Sequence, residues 1–570
     1  MRQILPVLIL LAACNKDAGD TGEVVIEPLA VAITSHSDGE FIDADSVSAS
    51  GMAEGTGAEF LFNGNGFEPA EGAWQQSHSH SDAAWPDSPL WPLLAHGSTS
   101  DGWLRDRVTA IQGPSLPGAD PIVDGLALRL TDHLLTSLRP TFEDLIVGFD
   151  IEGQLVTGSP VTTILGADVF VDRVAIAEIT LDALDFTTSG LDWGATITGL
   201  ALDIRIESFL GTNENTITAD AVIVTGLMVF GGADDGSIAV TAQDTAVEFT
   251  NFAIDGQPDT LGLSGFLSDF LATEIEDAIA DQIGDALSIQ DELRDLDLGG
   301  VTIHSDFTSA SHDDTGVNLY ADSTVSTEAG PLTNARLSNP GARANPIDQE
   351  FEGSPYGLLL MLDDDLISGL GVGLFEGGLL VQTIEGEDAP INLTTTLLAG
   401  FVEAFEQLPA DTPVSLVTAP TLGFPASPGT GAPEAARLHV GGMGLDFQVD
   451  TDGDGTPESQ MIVVVDVIIA LMGGDNLIDF DLVDIGATMT ETSLVVSDPE
   501  VTEEALAGMF GVLLPGILSD ALTGGLGSED GSTLEGLESV GSAPVGPDAD
   551  VAGLYFNIDP ALLAGDEPAR

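Results

Sequence analysis

The sequence predicts an α+β fold: two tandem units, each a curved antiparallel sheet packed on a long helix, preceded by a small all-β sandwich. Three observations predict it. Leu263, Phe266, Leu267, Phe270, Leu271, Ile275, Ile279, Ile283 and Leu287 recur at spacings of three and four, with Asp269, Glu274, Glu276, Asp277, Asp281 and Asp285 between them. That is one apolar stripe and one acidic face, the pattern of a long amphipathic helix. Roughly a hundred residues of alternating, strand-like text precede this helix, and the same grammar of meander and closing helix returns in the second half. The helix stripe must be buried against the sheet, either as ordinary core or as one wall of an apolar groove.

The chain has 570 residues, too many for one core and enough for about three or four domains. Hydrophobic residues make up 43% and the mean hydropathy is +0.24, yet no uncharged apolar run reaches spanning length. The apolar run Ile4 to Ala13 follows Arg2 and ends at Leu11-Ala12-Ala13-Cys14. It resembles a bacterial lipoprotein signal with its lipobox. The resemblance implies that residues 1–13 are a signal peptide and that Cys14 is acylated as the first residue of the mature chain. An ordinary secretory signal with a chance cysteine is the alternative. Asn15 follows instead of the aspartate that retains such lipoproteins at the inner membrane, which places the anchor in the outer membrane. Cys14 is the only cysteine, so no internal disulfide or cysteine metal cluster can form. With 93 acidic and 13 basic residues the formal charge is −80, and Lys16 is the single lysine. Such a surface repels phosphate backbones and anionic headgroups, which excludes a nucleic-acid function.

Residues 14–27 read as a polar tether. Residues 28–113 change to short strands punctuated by Asp-Gly and Asn-Gly, the pattern of a small β-sandwich. The phrase Ile33-Thr34-Ser35-His36-Ser37-Asp38-Gly39, the central Phe62-Asn63-Gly64 and the closing strand at Asp101 to Gly113 resemble bacterial Ig-like modules. The resemblance implies a spacer or a binding platform without chemistry. His78 and His80, two residues apart, would face one side of a strand and could share a metal. With no third ligand evident, a polar hairpin tip is the favoured reading.

Gly113 to Pro121 reads as a linker, and Ile122 to Leu138 as a helix with Leu126, Leu130, Leu134, Leu135 and Leu138 on one side. A long meander follows, closed by the helix from Leu263. This order of helix, β-meander and helix resembles one half of the tubular lipid-binding (TULIP) superfamily, typified by bactericidal permeability-increasing protein. The resemblance covers about residues 120–560 and rests on element order. It implies a first unit over 120–298, a shared central sheet over 299–328, a linker over 329–353 and a second unit over 354–560. In the second unit Asp498 and Pro499 are suited to cap and start a closing helix, in which Pro515 predicts a kink. The family's mammalian members carry a disulfide and a cationic tip that this chain cannot supply, so endotoxin neutralisation does not transfer.

The resemblance implies an apolar groove in each unit. Its candidate lining is Leu126, Leu130, Leu134, Phe266, Phe270, Leu271 and Ile275 in the first unit. In the second it is Leu506, Phe510, Leu513 and Ile517. Asp450, Asp452 and Asp454, with Gly455 for the turn and Glu458 at the ninth position, resemble half of a calcium loop. The twelfth position is Met461, and an acidic hairpin turn is the alternative. No nucleophile elbow, His-Glu-x-x-His or phosphate-cradling loop occurs, so no catalysis and no organic cofactor are expected. The expected function is binding, with or without transfer, of lipid or another hydrophobic ligand by a protein held to the membrane through Cys14. The rival is a structural or adhesive, calcium-stabilised surface lipoprotein without a ligand.

Overall fold

A computed structural model describes residues 29–558, save 141–154, 258–262, 274–293, 339–342, 385–392, 420–423, 527–536 and scattered single residues or pairs. The chain is mostly β with few helices, and two curled half-barrel sheets dominate it. Among the described residues helices are therefore fewer than the α+β reading expects.

The N-terminal residues form two sheets, one ordered Ala30–Ile33, Ser46–Glu54, Ala73–Ser79 and the other built on the Leu90–Thr99/Gly102–Gln112 hairpin. Between them lies a separate core that includes Phe62, Trp74, Trp91 and Val108. His78 and His80 belong to this core and not to a polar tip. Both are buried, and their rings meet Trp91 edge-on at 6.3 and 5.1 Å. Alternate residues do share a side, as expected, but that side faces inward. Burial lowers the pKa of each, because a charged imidazole would lose its hydration there.

Residues Ile122–Thr131 form a strand, not the first turns of a helix; helix begins only at 132. Leu126, Leu128 and Leu130 join the large apolar core, while Ala127 lies in a separate cluster with Tyr320, Tyr356 and Tyr555. This strand sits mid-sheet between Gly316–Thr327 and Leu358–Asp363, and the latter pairs with Val551–Ile558. The central sheet thus draws strands from widely separated parts of the chain, and both its faces are covered. Segment 343–351 supplies the second cover. There Tyr320 donates its hydroxyl to the Ala344 carbonyl at 3.0 Å, and the Arg343 guanidinium lies 3.9 Å from the Tyr320 ring centre. Arg129, fully buried, forks onto Asp313 at 2.8 and 3.1 Å.

The first curled sheet runs Thr162–Ile164, Ala167–Ala175, Gly190–Ser208, Gly211–Gly232, Ile238–Thr250. Along Gly190–Ser208 the buried side chains include Leu191, Trp193, Ala195 and Ile197, then Leu200, Leu202 and Ile204. The phase changes at Gly199, whose φ of +63° a side chain would resist. At the same point the strand exchanges one neighbour, Glu178–Thr187, for another, Ala167–Ala175. Residues 263–269 and 271–273 are helical and pack on this sheet; the rest of the expected helix lies outside the described residues.

The second curled sheet repeats the plan: Thr383–Ile384, Ser415–Ala419, Glu434–Val449, Glu458–Gly474, Leu477–Thr492. Its closing helix is Pro499–Leu526, and the Asp498 carboxylate accepts from the amides of Glu500 and Val501 at 3.1 and 3.3 Å, the expected cap. Helix Asp364–Glu376 opens the unit, capped by Asp363.

Candidate functional site: two helix–sheet seams

Of the expected groove residues, Leu126 and Leu130 lie on the central strand, Leu134 on the helix that follows it, and Leu271 on the first unit's helix. Leu506 and Phe510 lie on the closing helix. The fold gathers these six into a single apolar cluster, and Phe266 packs against its edge. Phe270 and Ile275 lie outside the described residues, as does Cys14; of Leu513 and Ile517 only the helical backbone is described.

This cluster runs without a break from the first curled sheet, through the central sheet, to the second. In each unit it reaches the surface at the same place, the edge strand beside the closing helix. In the first unit Val247, Phe249 and Phe252 are only half-buried, and the Phe249 and Phe252 rings meet edge-on at 5.1 Å. Ser268 of the helix donates its hydroxyl to the Val247 carbonyl at 3.4 Å, which places the helix along this strand. In the second unit Phe480, Leu482 and Ile485 of the edge strand are half-buried in the same way. Deeper in, Phe405, Phe447 and Phe510 meet in sequence, the first pair edge-on and the second tilted, with ring centres 5.5 and 5.9 Å apart. Among the described residues each seam is lined mainly by apolar side chains. The sequence could not single out the seam residues, because inward-facing positions look alike whether the helix covers them fully or by half.

The acidic loop holds Asp450, Asp452 and Asp454 with one carboxylate oxygen of each within 4.8 Å of the others. Gly453 and Gly455 take φ of +77° and +86° and turn the loop. Asp450 accepts from the Gly453 and Gly455 amides at 2.7 and 2.9 Å, and these hydrogen bonds hold its carboxyl below the ordinary range. Glu458 does not face the aspartates alone: its Oε2 accepts from the Thr451 amide and hydroxyl at 3.1 and 3.0 Å.

One polar link escaped sequence reasoning. His439, buried on strand Glu434–Val449, lies 2.8 Å from Ser88 Oγ through Nδ1 and 2.7 Å from Ser427 Oγ through Nε2. It ties the N-terminal module to the second curled sheet. Burial, helped by the nearby Arg437 charge, pushes the imidazole pKa down to about 3.

No family model and no curated protein sequence matches this chain. Among solved structures it is similar to lipopolysaccharide binding protein, at 13% identity and a TM-score of 0.36, over 77% of this chain and 99% of that one. It is also similar to P47 of Clostridium botulinum E1, at 9% identity and a TM-score of 0.23, over 77% of this chain and 100% of that one.

Proposed function

We propose that the chain is a non-catalytic binder of lipid or another apolar ligand, taken up by its alkyl part at the two seams. The observation that carries this reading is the half-buried apolar edge strand beside the helix, present in both units and continuous with the interior. A fully packed core would have buried Phe249 and Phe480 as deeply as Phe447. An alkyl chain entering a seam leaves water at about 0.8 kcal/mol per methylene, so a long chain competes with its place in a membrane. The formal charge of −80 selects against anionic headgroups and favours neutral or cationic amphiphiles. Acylation of Cys14 would hold the protein at the outer membrane, close to its ligand.

The test is native mass spectrometry of the chain lacking residues 1–14, with organic extraction of what copurifies. Lipid at fixed stoichiometry, reduced several-fold by Phe249→Asp and Phe480→Asp, is the expected result. A clean apo mass with no uptake from labelled zwitterionic vesicles would leave a structural surface protein as the reading.

We propose also that the loop at Asp450, Asp452 and Asp454 takes Ca2+ weakly and stiffens its hairpin, on the strength of the three converging carboxylates. Millimolar Ca2+ should raise the melting temperature, and Asp452→Asn should abolish the rise while Mg2+ gives less. An unchanged melting temperature in Ca2+ would leave the loop as an acidic turn.

A further inference from the structure

The N-terminal module reaches the second seam. Five contacts dock the module on the second unit, two of them on the closing helix or the edge strand, and each joins residues far apart in sequence. Arg105 reaches Glu503 in the first turns of the closing helix, and the same Glu503 carboxylate accepts from the Met489 amide of the edge strand at 2.7 Å. Arg107 pairs with Asp466, whose other oxygen accepts from the Gly442 amide at 2.9 Å. Trp85 donates its indole N–H to Asp484 on the edge strand at 2.9 Å, with its ring against Gly486. Ser88 bonds to His439, and Leu90 fills the space left by the absent side chain of Gly441.

Both ion pairs are nearly dry: side-chain exposure is 2% and 6% for Arg107 and Asp466, and 5% and 15% for Arg105 and Glu503. Breaking one partner of such a pair strands a buried charge, so these contacts hold firmly while intact. Arg105 is itself braced, donating Nε–H to His96 Nδ1 at 2.7 Å and lying 5.5 Å from the Trp103 ring centre. Glu503 is thus gripped on one side by the module and on the other by the edge strand. It pins the start of the closing helix to the strand that forms the other wall of the seam. In the first unit, the described seam residues Val247, Phe249 and Phe252 lie in the apolar cluster of that sheet and helix.

We propose that the N-terminal module is a latch: docked, it holds the closing helix of the second unit against its edge strand, and release of the module opens that seam. The proposal rests on the apolar-ligand reading only for what enters; the mechanical claim stands by itself. A seam that opens on release would take its ligand more slowly than the unlatched first seam.

The test is amide hydrogen exchange on the full chain, read over residues 499–512 and 477–492. Arg105→Glu and Glu503→Arg, each placing like charges together, should raise exchange there at least tenfold and leave Gly211–Gly232 of the first unit unchanged. The double variant, which restores opposite charges, should return protection toward the wild-type level. Trp85→Ala, which buries no charge, should give a smaller rise in the same peptides. Wild-type exchange in the single variants, or a rise in the first unit as large as in the second, would overturn the latch. Uptake of a fluorescent zwitterionic lipid is followed in parallel. Faster second-site uptake in the single variants supports gating; no uptake by any form, with the exchange result intact, refutes the ligand reading and leaves the latch.

Discussion

Arg129→Met should destabilise the protein by about 2–4 kcal/mol, somewhat less than the effect of removing one partner from a fully buried ion pair, because Asp313 is 22% exposed. The residue sits on the middle strand of the central sheet, and its guanidinium has no contact with solvent. It forks onto Asp313, donates to Thr315 Oγ1 at 2.5 Å, and reaches the Asp348 carbonyl at 3.3 Å. Three segments therefore converge on one cation: the Val301–Asp313 strand, the turn after it, and the covering segment near 348. Burial alone would raise the Asp313 pKa, but Arg129 and Thr315 together hold it below the ordinary range. Methionine keeps the aliphatic stem and removes the charge, leaving Asp313 Oδ2 without its donor and the carboxylate without its counter-charge. Urea unfolding at pH 7 measures the loss, and a change below about 1 kcal/mol would mean the sheet does not depend on this pair.

The second large effect is on acid stability, through His439. Its imidazole is neutral when folded, with a pKa near 3, against an ordinary value of 6.5. Above pH 6.5 both folded and unfolded forms are neutral, and the group has no effect on stability. Below it the unfolded chain binds a proton that the folded chain refuses, so stability falls as pH drops from 6.5 toward 3. At about 1.4 kcal/mol per unit, the penalty at pH 4 is about 3 kcal/mol. Asp363 acts in the opposite sense. Burial, reinforced by the charges of Asp364 and Asp365, raises its carboxyl pKa to about 8, so its contribution is present at low pH and lost as pH rises from 3.8 through 8. The two are separated by comparing the wild type with His439→Gln at pH 7, 5 and 4. The variant should lose less on acidification, by about 3 kcal/mol at pH 4. Parallel pH profiles would show that His439 is not protonated on unfolding in this range. Because His439 bonds to Ser88, its protonation should first loosen the N-terminal module, visible as exchange at Leu90–Thr99.

Much of the architecture is legible in the residues. Asp498 and Pro499 mark the start of the closing helix because a carboxylate cap and a proline at the first position suit unpaired amides. The reading failed at Ile122–Thr131 for a reason visible in the numbers. Leu126, Leu130 and Leu134 are four apart, a spacing that suits one face of a helix and, being even, one face of a strand as well. Leu128 between them completes the strand pattern, and the opposite face could have argued the same, since Ala127 and Arg129 alternate with the leucines. A strand buried on both faces reads as a nearly continuous apolar run, which is where periodicity loses its discrimination. His78 and His80 failed differently: polarity suggested a surface turn, but two neutral imidazoles can be buried against Trp91.

The arginines were the least legible. In a chain with 93 acidic residues, the partner of any one arginine cannot be guessed from sequence, since every segment offers a carboxylate. Only the fold selects Asp313 for Arg129, 184 residues away, Glu503 for Arg105, 398 away, and Asp466 for Arg107, 359 away.

The sequence by itself determined the repeated meander and closing helix, the acidic surface, the acidic hairpin loop and the apolar stripes, because these are properties of local order and composition. Tertiary structure alone decided that the stripes merge into one interior, that each edge strand is left half-covered, and that the N-terminal module docks on the second curled sheet and reaches its seam. Those outcomes depend on which segments meet across hundreds of residues, where chain connectivity and the burial of a few cations, and not local periodicity, choose the partner.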